Sequence, residues 1–312
     1  MLERLEPLAS SPAAYLFVVV LGLLWGSFAN VCIYRWPPTE AHPKGRSVVT
    51  PGSHCSACKQ PIAWYDNVPL LSYLWLRGKC RSCKAAFSPR YLLVEALTAV
   101  LFGVAWWFAV IAPWFEPFDQ RLLRFAVYAA FCFVMVVITF IDLDHKLILN
   151  KVTIPSIVLF YAAALLWPDR HWYDGLVGIA VGYGLPWAIA EVYYRITHRE
   201  GLGLGDSMLL ALIGALLGWR GVLIALFGGS VIGSVIGITA LIIGRSAAAD
   251  DPAPAPAGGA SDAAPSAEQA AGDDPPSLMR TELPFGPFLA TAALFYLFAE
   301  PWIQLHFHLP GG

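Results

Sequence analysis

Residues 13–34 read AAYLFVVVLGLLWGSFANVCIY, 22 positions without one charged side chain. A helix needs about 20 predominantly apolar residues to cross the hydrocarbon core of a bilayer, so this run can span it. It ends too polar for a cleaved signal peptide: Ser27, Asn30 and Arg35 follow the apolar stretch, and no A-x-A site appears. Seven further runs follow, at roughly 91–112, 121–141, 152–167, 173–196, 206–218, 221–244 and 285–305, the fourth and sixth of the eight being short. Composition agrees. The 312 residues are 57% hydrophobic and 13% charged, against roughly 45–50% and about 25% in soluble domains. No soluble fold of this length has an interior for that excess. The expected fold class is an all-α polytopic membrane protein with about eight transmembrane helices.

Charge orients those helices. Of the 20 Lys and Arg, 15 lie in 35–90, 142–151, 195–205 and 245–284, the segments that eight spans place on one face. The other face holds five: Arg4, Arg121, Arg124, Arg170 and Arg220. By the positive-inside rule the first face is cytoplasmic and both termini lie outside. Residues 246–279 carry six acidic side chains and no Lys or Arg, so the rest of the chain has a formal charge of +4 where the whole has −2. A surplus that small fits membrane orientation, with lipid as the partner, and argues against nucleic acid. With twelve Ala and six Pro, 246–279 cannot bury enough apolar surface to become ordered and reads as a disordered acidic cytoplasmic linker. The expected organisation is a first transmembrane helix (1–34), a cytoplasmic loop (35–90), a transmembrane core (91–245), the linker (246–279), and a last helix with the C-terminus (280–312). No internal repeat is evident.

The loop contains PGSHCSACKQPIAWYDNVPLLSYLWLRGKCRSC (51–83). Cys55 and Cys58 form one C-x-x-C and Cys80 and Cys83 another, with 21 residues between the pairs. Each pair suits a tight knuckle that aims two thiolates at one point, and two knuckles complete a tetrahedral shell around Zn²⁺. A closed four-thiolate shell leaves no position for water, so such a metal is structural. Two disulfides are the competing reading, and cytosolic placement disfavours them. His54 reads as a surface histidine, and Cys32 and Cys132, inside spans, as small apolar residues.

Ionisable groups inside spans are costly and usually face a protein or water-filled interior. Asp142 sits at the cytoplasmic end of the third span, in FIDLDHKLIL, and Asp206 ends GLGLGD (201–206) and opens the sixth. Both fall on the cytoplasmic side of the expected topology. Two carboxyls sharing a site do not both ionise readily: the ionised one can activate water while the protonated one polarises a carbonyl, which is aspartic-protease chemistry. The alternative is a pair of helix-terminal groups reaching the interface, with Asp206 as an N-cap. Asp144 is the rival of Asp142 and should be more exposed. Glu95, near the cytoplasmic end of the second span, is a candidate to line the same cavity; Asn30 and Ser27, one turn apart, suit bonding to a neighbouring helix.

Taken together, GSFANVCIYR (26–35), NVPLLSYLWLRGKCRSC (67–83), SPRYLLVE (88–95), IDLDH (141–145), GLGLGD (201–206) and PFGPFLA (284–290) resemble the prepilin peptidases. These are the GxGD membrane aspartic proteases of type IV pilus and type II secretion systems. The resemblance implies that Asp142 and Asp206 are the catalytic pair of residues 91–245. It implies cleavage of the short basic leader of prepilins and pseudopilins, after a Gly and on the cytoplasmic side. It also implies N-methylation of the new N-terminal residue with S-adenosylmethionine. No segment resembles a soluble cofactor fold, so the residues of the methyl-transfer site are not placed. Where family members often read Leu-Pro-Asp this chain has Ile148, Leu149 and Asn150, which leaves Asn150 without a catalytic expectation. The competing reading from another class is an ion-coupled transporter with a zinc-stapled cytoplasmic loop, which intramembrane carboxylates and glycine-broken helices would also suit.

Overall fold

A computed structural model of the chain describes residues 6–167, 170–198, 203–249 and 284–307. The expected linker lies outside the described residues from position 250 onward. Helices dominate: α1 (Pro12–Arg35), the short α2 (Leu71–Trp75), α3 (Arg90–Trp106), α4 (Phe118–His145), α5 (Asn150–Ala164), α6 (Trp172–Thr197), α7 (Leu204–Ala249) and α8 (Gly286–Phe307). No strand occurs among the described residues, only three isolated bridges. Local chemistry sets several ends. Ser11 caps α1, its hydroxyl accepting from the Ala14 N–H at 3.3 Å, and Pro12 occupies the first turn where its missing N–H is harmless. At the other end of α4, Lys146 adopts a left-handed conformation (φ 50°) and returns its N–H to the Asp142 carbonyl at 2.8 Å.

The centre of the bundle is α4. Of its most apolar stretch 72% is buried inside the protein, against 33% for α1 and 22% for α6 and α7, whose apolar side chains face outward. In a bilayer those outward faces meet lipid. Five helices are long and apolar enough to cross a membrane: Pro12–Arg35, Arg90–Ile111, Phe118–His145, Trp172–Thr197 and Leu204–Ile242. This is a multi-pass membrane protein. All eight expected runs fall on helix, but helix length does not confirm a count of eight, for three reasons. With 15 residues, α5 is only about 22 Å long at 1.5 Å per residue. The stretch Gly286–Glu300 of α8 is likewise short. Two expected runs lie in α7.

That helix is continuous only in name. Gly218 has φ 69° and ψ −176°, which no helix contains. A Cβ placed on Gly214 would lie 2.8 Å from Cγ2 of Val222, whereas eight residues of straight helix would separate those positions by about 12 Å. The chain therefore reverses at Gly218. The arm before it packs on α6 so closely that a Cβ on Gly178 would sit 2.1 Å from the Gly214 carbonyl oxygen. The arm after it packs on α8 through Gly229 against Leu289. Small residues permit that approach, as in other membrane helix pairs, where interhelical packing replaces the hydrophobic effect.

Candidate active site and metal centre

Residues 53–87 build two copies of one device. The Cys55 N–H donates to the Gln60 carbonyl (3.0 Å) and the Lys59 N–H to the Cys55 carbonyl (3.0 Å). Cys80 and Lys84 repeat this with Ala85 (2.8 Å) and Cys80 (3.1 Å). Bridges His54–Pro61 and Lys79–Ala86 close the two turns, and Lys59 and Lys84 both hold positive φ, 58° and 61°. C-x-x-C-Lys, present at 55–59 and 80–84, thus takes the same hydrogen-bonded turn twice while the flanking residues differ. Between the knuckles, Arg81 grips Asp66 with two bonds of 2.6 and 2.7 Å, and the guanidinium holds that carboxyl below its ordinary range.

The four sulfurs of Cys55, Cys58, Cys80 and Cys83 all lie within 4.8 Å of one another, and Cys55 and Cys83 are 3.8 Å apart. Four ligands at the Zn–S length of about 2.3 Å would stand about 3.8 Å apart at tetrahedral corners. The thiols converge on one point, so the cluster can hold a metal ion. N–H groups of Cys58 and Ala57 pull the Cys55 thiol down to about 6. Cys58 is pushed up to about 11, burial and the adjoining thiols outweighing the Gln60 N–H that opposes them. Thiolates this close repel, and a cation among them removes that conflict.

The carboxylates lie elsewhere. Asp142, 5% exposed, sits in the last turn of α4. Its Oδ2 accepts the Gly286 N–H at 3.0 Å, from the first residue of α8. Asp206 stands in the first turn of α7, its N–H bonded to the Gly203 carbonyl at 3.1 Å. The two carboxyls lie within electrostatic reach of each other. Three helix ends, from α4, α7 and α8, thus build one site. A Cβ on Gly205 would touch Ile148 at 3.1 Å, which brings the α4–α5 connection against the α7 entry. Asp144 is exposed, as expected, and accepts from Arg90 Nη1 at 2.5 Å, while Arg90 Nη2 reaches the Phe140 carbonyl at 3.1 Å. Arg90 opens α3, so this link sets the carboxylate site on the same face of the bundle as the cysteine loop.

One expectation changes in detail. Glu95 does not face the aspartates: its Oε2 accepts the Leu70 N–H at 2.9 Å, under the cysteine loop. The rotation of α3 decides this, and sequence spacing does not report it. Asn30 bonds a neighbouring helix as expected, its Nδ2 donating to the Tyr91 carbonyl at 3.1 Å. Arg90 and Gly286 escaped the reading of individual residues, although each stands inside a quoted motif, SPRYLLVE and PFGPFLA. Asn150 is exposed at the start of α5.

Residues 20–109 match the bacterial peptidase A24 N-terminal domain and residues 129–238 the type IV leader peptidase family. A Myxococcus xanthus protein named prepilin leader peptidase/N-methyltransferase is 35% identical, over 94% of this chain and 92% of its own. The chain belongs to the type IV leader peptidase family. Relatives of the same name from Pseudomonas aeruginosa (35% identical, 80% of this chain and 89% of theirs) and Dichelobacter nodosus (31%, 98% and 99%) agree. No solved structure matches. Within this family member the four cysteines fall in the N-terminal match and both aspartates in the second, while Gly286 lies beyond either. Nothing in these matches supports a transporter.

Proposed function

We propose that this chain is a membrane aspartic endopeptidase that removes leader peptides from prepilins and pseudopilins and then N-methylates the amine so exposed. The observation that carries the reading is that Asp142 and Asp206, at the ends of α4 and α7, lie within electrostatic reach of each other, in a chain related over most of its length to prepilin leader peptidase/N-methyltransferases. One carboxylate takes a proton from water, and the oxygen attacks the scissile carbonyl. The other, protonated, donates to the developing oxyanion, and the leaving nitrogen collects a proton as the peptide bond breaks. The Gly286 N–H keeps the Asp142 carboxylate oriented.

Zn²⁺ is the metal we assign to Cys55, Cys58, Cys80 and Cys83, in a structural role, since four thiolates close the shell. S-adenosylmethionine is the methyl donor. We assign the loop and the aspartates to the cytoplasmic face of the inner membrane, and the distribution of Lys and Arg supports that orientation. Coexpression with a prepilin tests the reading. A gain in gel mobility is expected with the wild-type chain and not with Asp206→Asn; an unshifted prepilin beside correctly inserted wild-type protein refutes it.

A further inference from the structure

Between the two knuckles the chain dips toward the membrane. The Leu70 N–H donates to Glu95 Oε2 at 2.9 Å, and Glu95 stands five positions inside the span Arg90–Ile111, about 8 Å along its axis. The 22 residues of that span make about 33 Å of helix, close to the roughly 30 Å of a bilayer's hydrocarbon. The level read from α1 agrees: a Cβ on Gly26 would lie 2.7 Å from the Glu95 Cα, nine positions before α1 ends at Arg35. The segment that starts at Leu70 therefore runs below the ends of both helices. Interfacial helices sit at this depth, about 5–10 Å into the boundary between headgroups and acyl chains.

That segment is α2, and its two sides differ. Leu70, Ser72, Tyr73 and Leu76 line the space between the loop, α1 and α3. Leu71, Leu74 and Trp75, at the spacing that shares one helix face, point away from it and are 66%, 65% and 83% exposed. Three large apolar side chains together in water would be costly, and such a patch marks a contact surface. Beyond Trp75 the Gly78 N–H turns back to the Tyr73 carbonyl at 2.8 Å, and Arg77 and Lys79 stand exposed on that turn. Residues 51–89 hold five Lys and Arg against one acid, Asp66, which Arg81 occupies. An apolar face rimmed by cations fits a bilayer surface with anionic headgroups, and tryptophan favours that depth. An apolar peptide would cover Leu71, Leu74 and Trp75 but would leave the cations and the depth unexplained.

We propose that α2 is an interfacial anchor, with Leu71, Leu74 and Trp75 sunk into the leaflet on the loop's own side and Arg77 and Lys79 on anionic headgroups. Only the spans, and none of the chemistry proposed above, are needed for it. The Glu95 bond sets how deep α2 lies. One cysteine pair precedes α2 and the other follows it, so the anchor holds both knuckles, and a metal between them, at the membrane surface.

The test uses the full-length chain in vesicles of phosphatidylcholine and phosphatidylglycerol. The photoreactive residue p-benzoylphenylalanine replaces Trp75 or, as a lipid-facing reference, Val100, which is 61% exposed in α3. After irradiation, mass spectrometry should find phospholipid adducts at both positions. At position 75, and not at 100, phosphatidylglycerol should be enriched about twofold over its share of the vesicle. Arg77→Gln combined with Lys79→Gln should return it to that share. Adducts at position 100 with none at 75 would overturn the anchor. A position-75 adduct that forms with a prepilin reconstituted beside the chain, in place of lipid, would overturn it too and make the face a peptide site. Enrichment that survives the double variant would overturn the headgroup contact.

Discussion

Gly286 donates to Asp142 Oδ2, and a Cβ at that position would come within 2.6 Å of the same oxygen. Gly286→Ala should therefore displace the carboxylate. Misplacement by about 1 Å can cost on the order of 100-fold in rate, so leader cleavage should fall at least tenfold and its pH profile should move, with thermal stability nearly unchanged. A fall in rate accompanied by an equal loss of folded protein would show that Gly286 acts only structurally. The aspartates themselves are tested more directly. Acid–base groups contribute about 10²–10⁴-fold, so Asp142→Asn and Asp206→Asn should each lower cleavage by at least 100-fold while membrane insertion persists. Asp144→Asn, on an exposed side chain paired with Arg90, should retain most activity. At this scale the sequence was informative where chemistry is local. The cysteines signal their cluster by spacing alone, and a carboxylate closing an apolar run stands out. The Gly286 N–H, 144 positions from its acceptor, has no local signature, and the direction Glu95 faces depends on how α3 is turned.

Among the elements, the Gly218 reversal and the double knuckle carry the most consequence. At φ 69° and ψ −176° any side chain is strained, by roughly 1–3 kcal/mol. Gly218→Leu should lower the melting midpoint in detergent, whereas Gly184→Ala in α6, where a Cβ meets nothing within 4 Å, should leave it level or raise it. Equal effects at the two sites would refute the turn. The break was legible as a gap between the runs 206–218 and 221–244; the close packing of its two arms on α6 and α8 was not, because glycine spacing alone does not name a partner. For the knuckles, elemental analysis should find about one Zn per chain. Cys55→Ser or Cys80→Ser should lower that content and impair methyl transfer more than cleavage, since a closed four-thiolate shell takes no part in hydrolysis. Metal retained by the Cys55/Cys80 double variant would eliminate the site.

Across the whole molecule, the Arg90–Asp144 pair places the loop and the carboxylate site on one face. An impermeant thiol reagent should therefore reach Glu40→Cys and Lys146→Cys from the same side of the membrane and Phe115→Cys from the other. Glu40→Cys and Lys146→Cys reacting from opposite sides would contradict the fold. Span number was the least legible property at this scale: hydropathy located every helix except the short α2, but α5 and α8 are short and α7 doubles back, so runs and crossings are not the same count. The contact between Gly286 and Asp142 also joins segments that lie on either side of positions 250–283. In thermodynamic terms α8 is a ligand of the bundle covalently attached to it, and the connecting stretch sets only its effective concentration. Loop-closure entropy in general rises by only about 0.6 kcal/mol for each doubling of length, so the length of this stretch is free to diverge while its far end is held by an aspartate. A chain severed within that stretch should accordingly regain leader cleavage when its two fragments are produced together, and the C-terminal fragment carrying Gly286→Ala should fail to restore it.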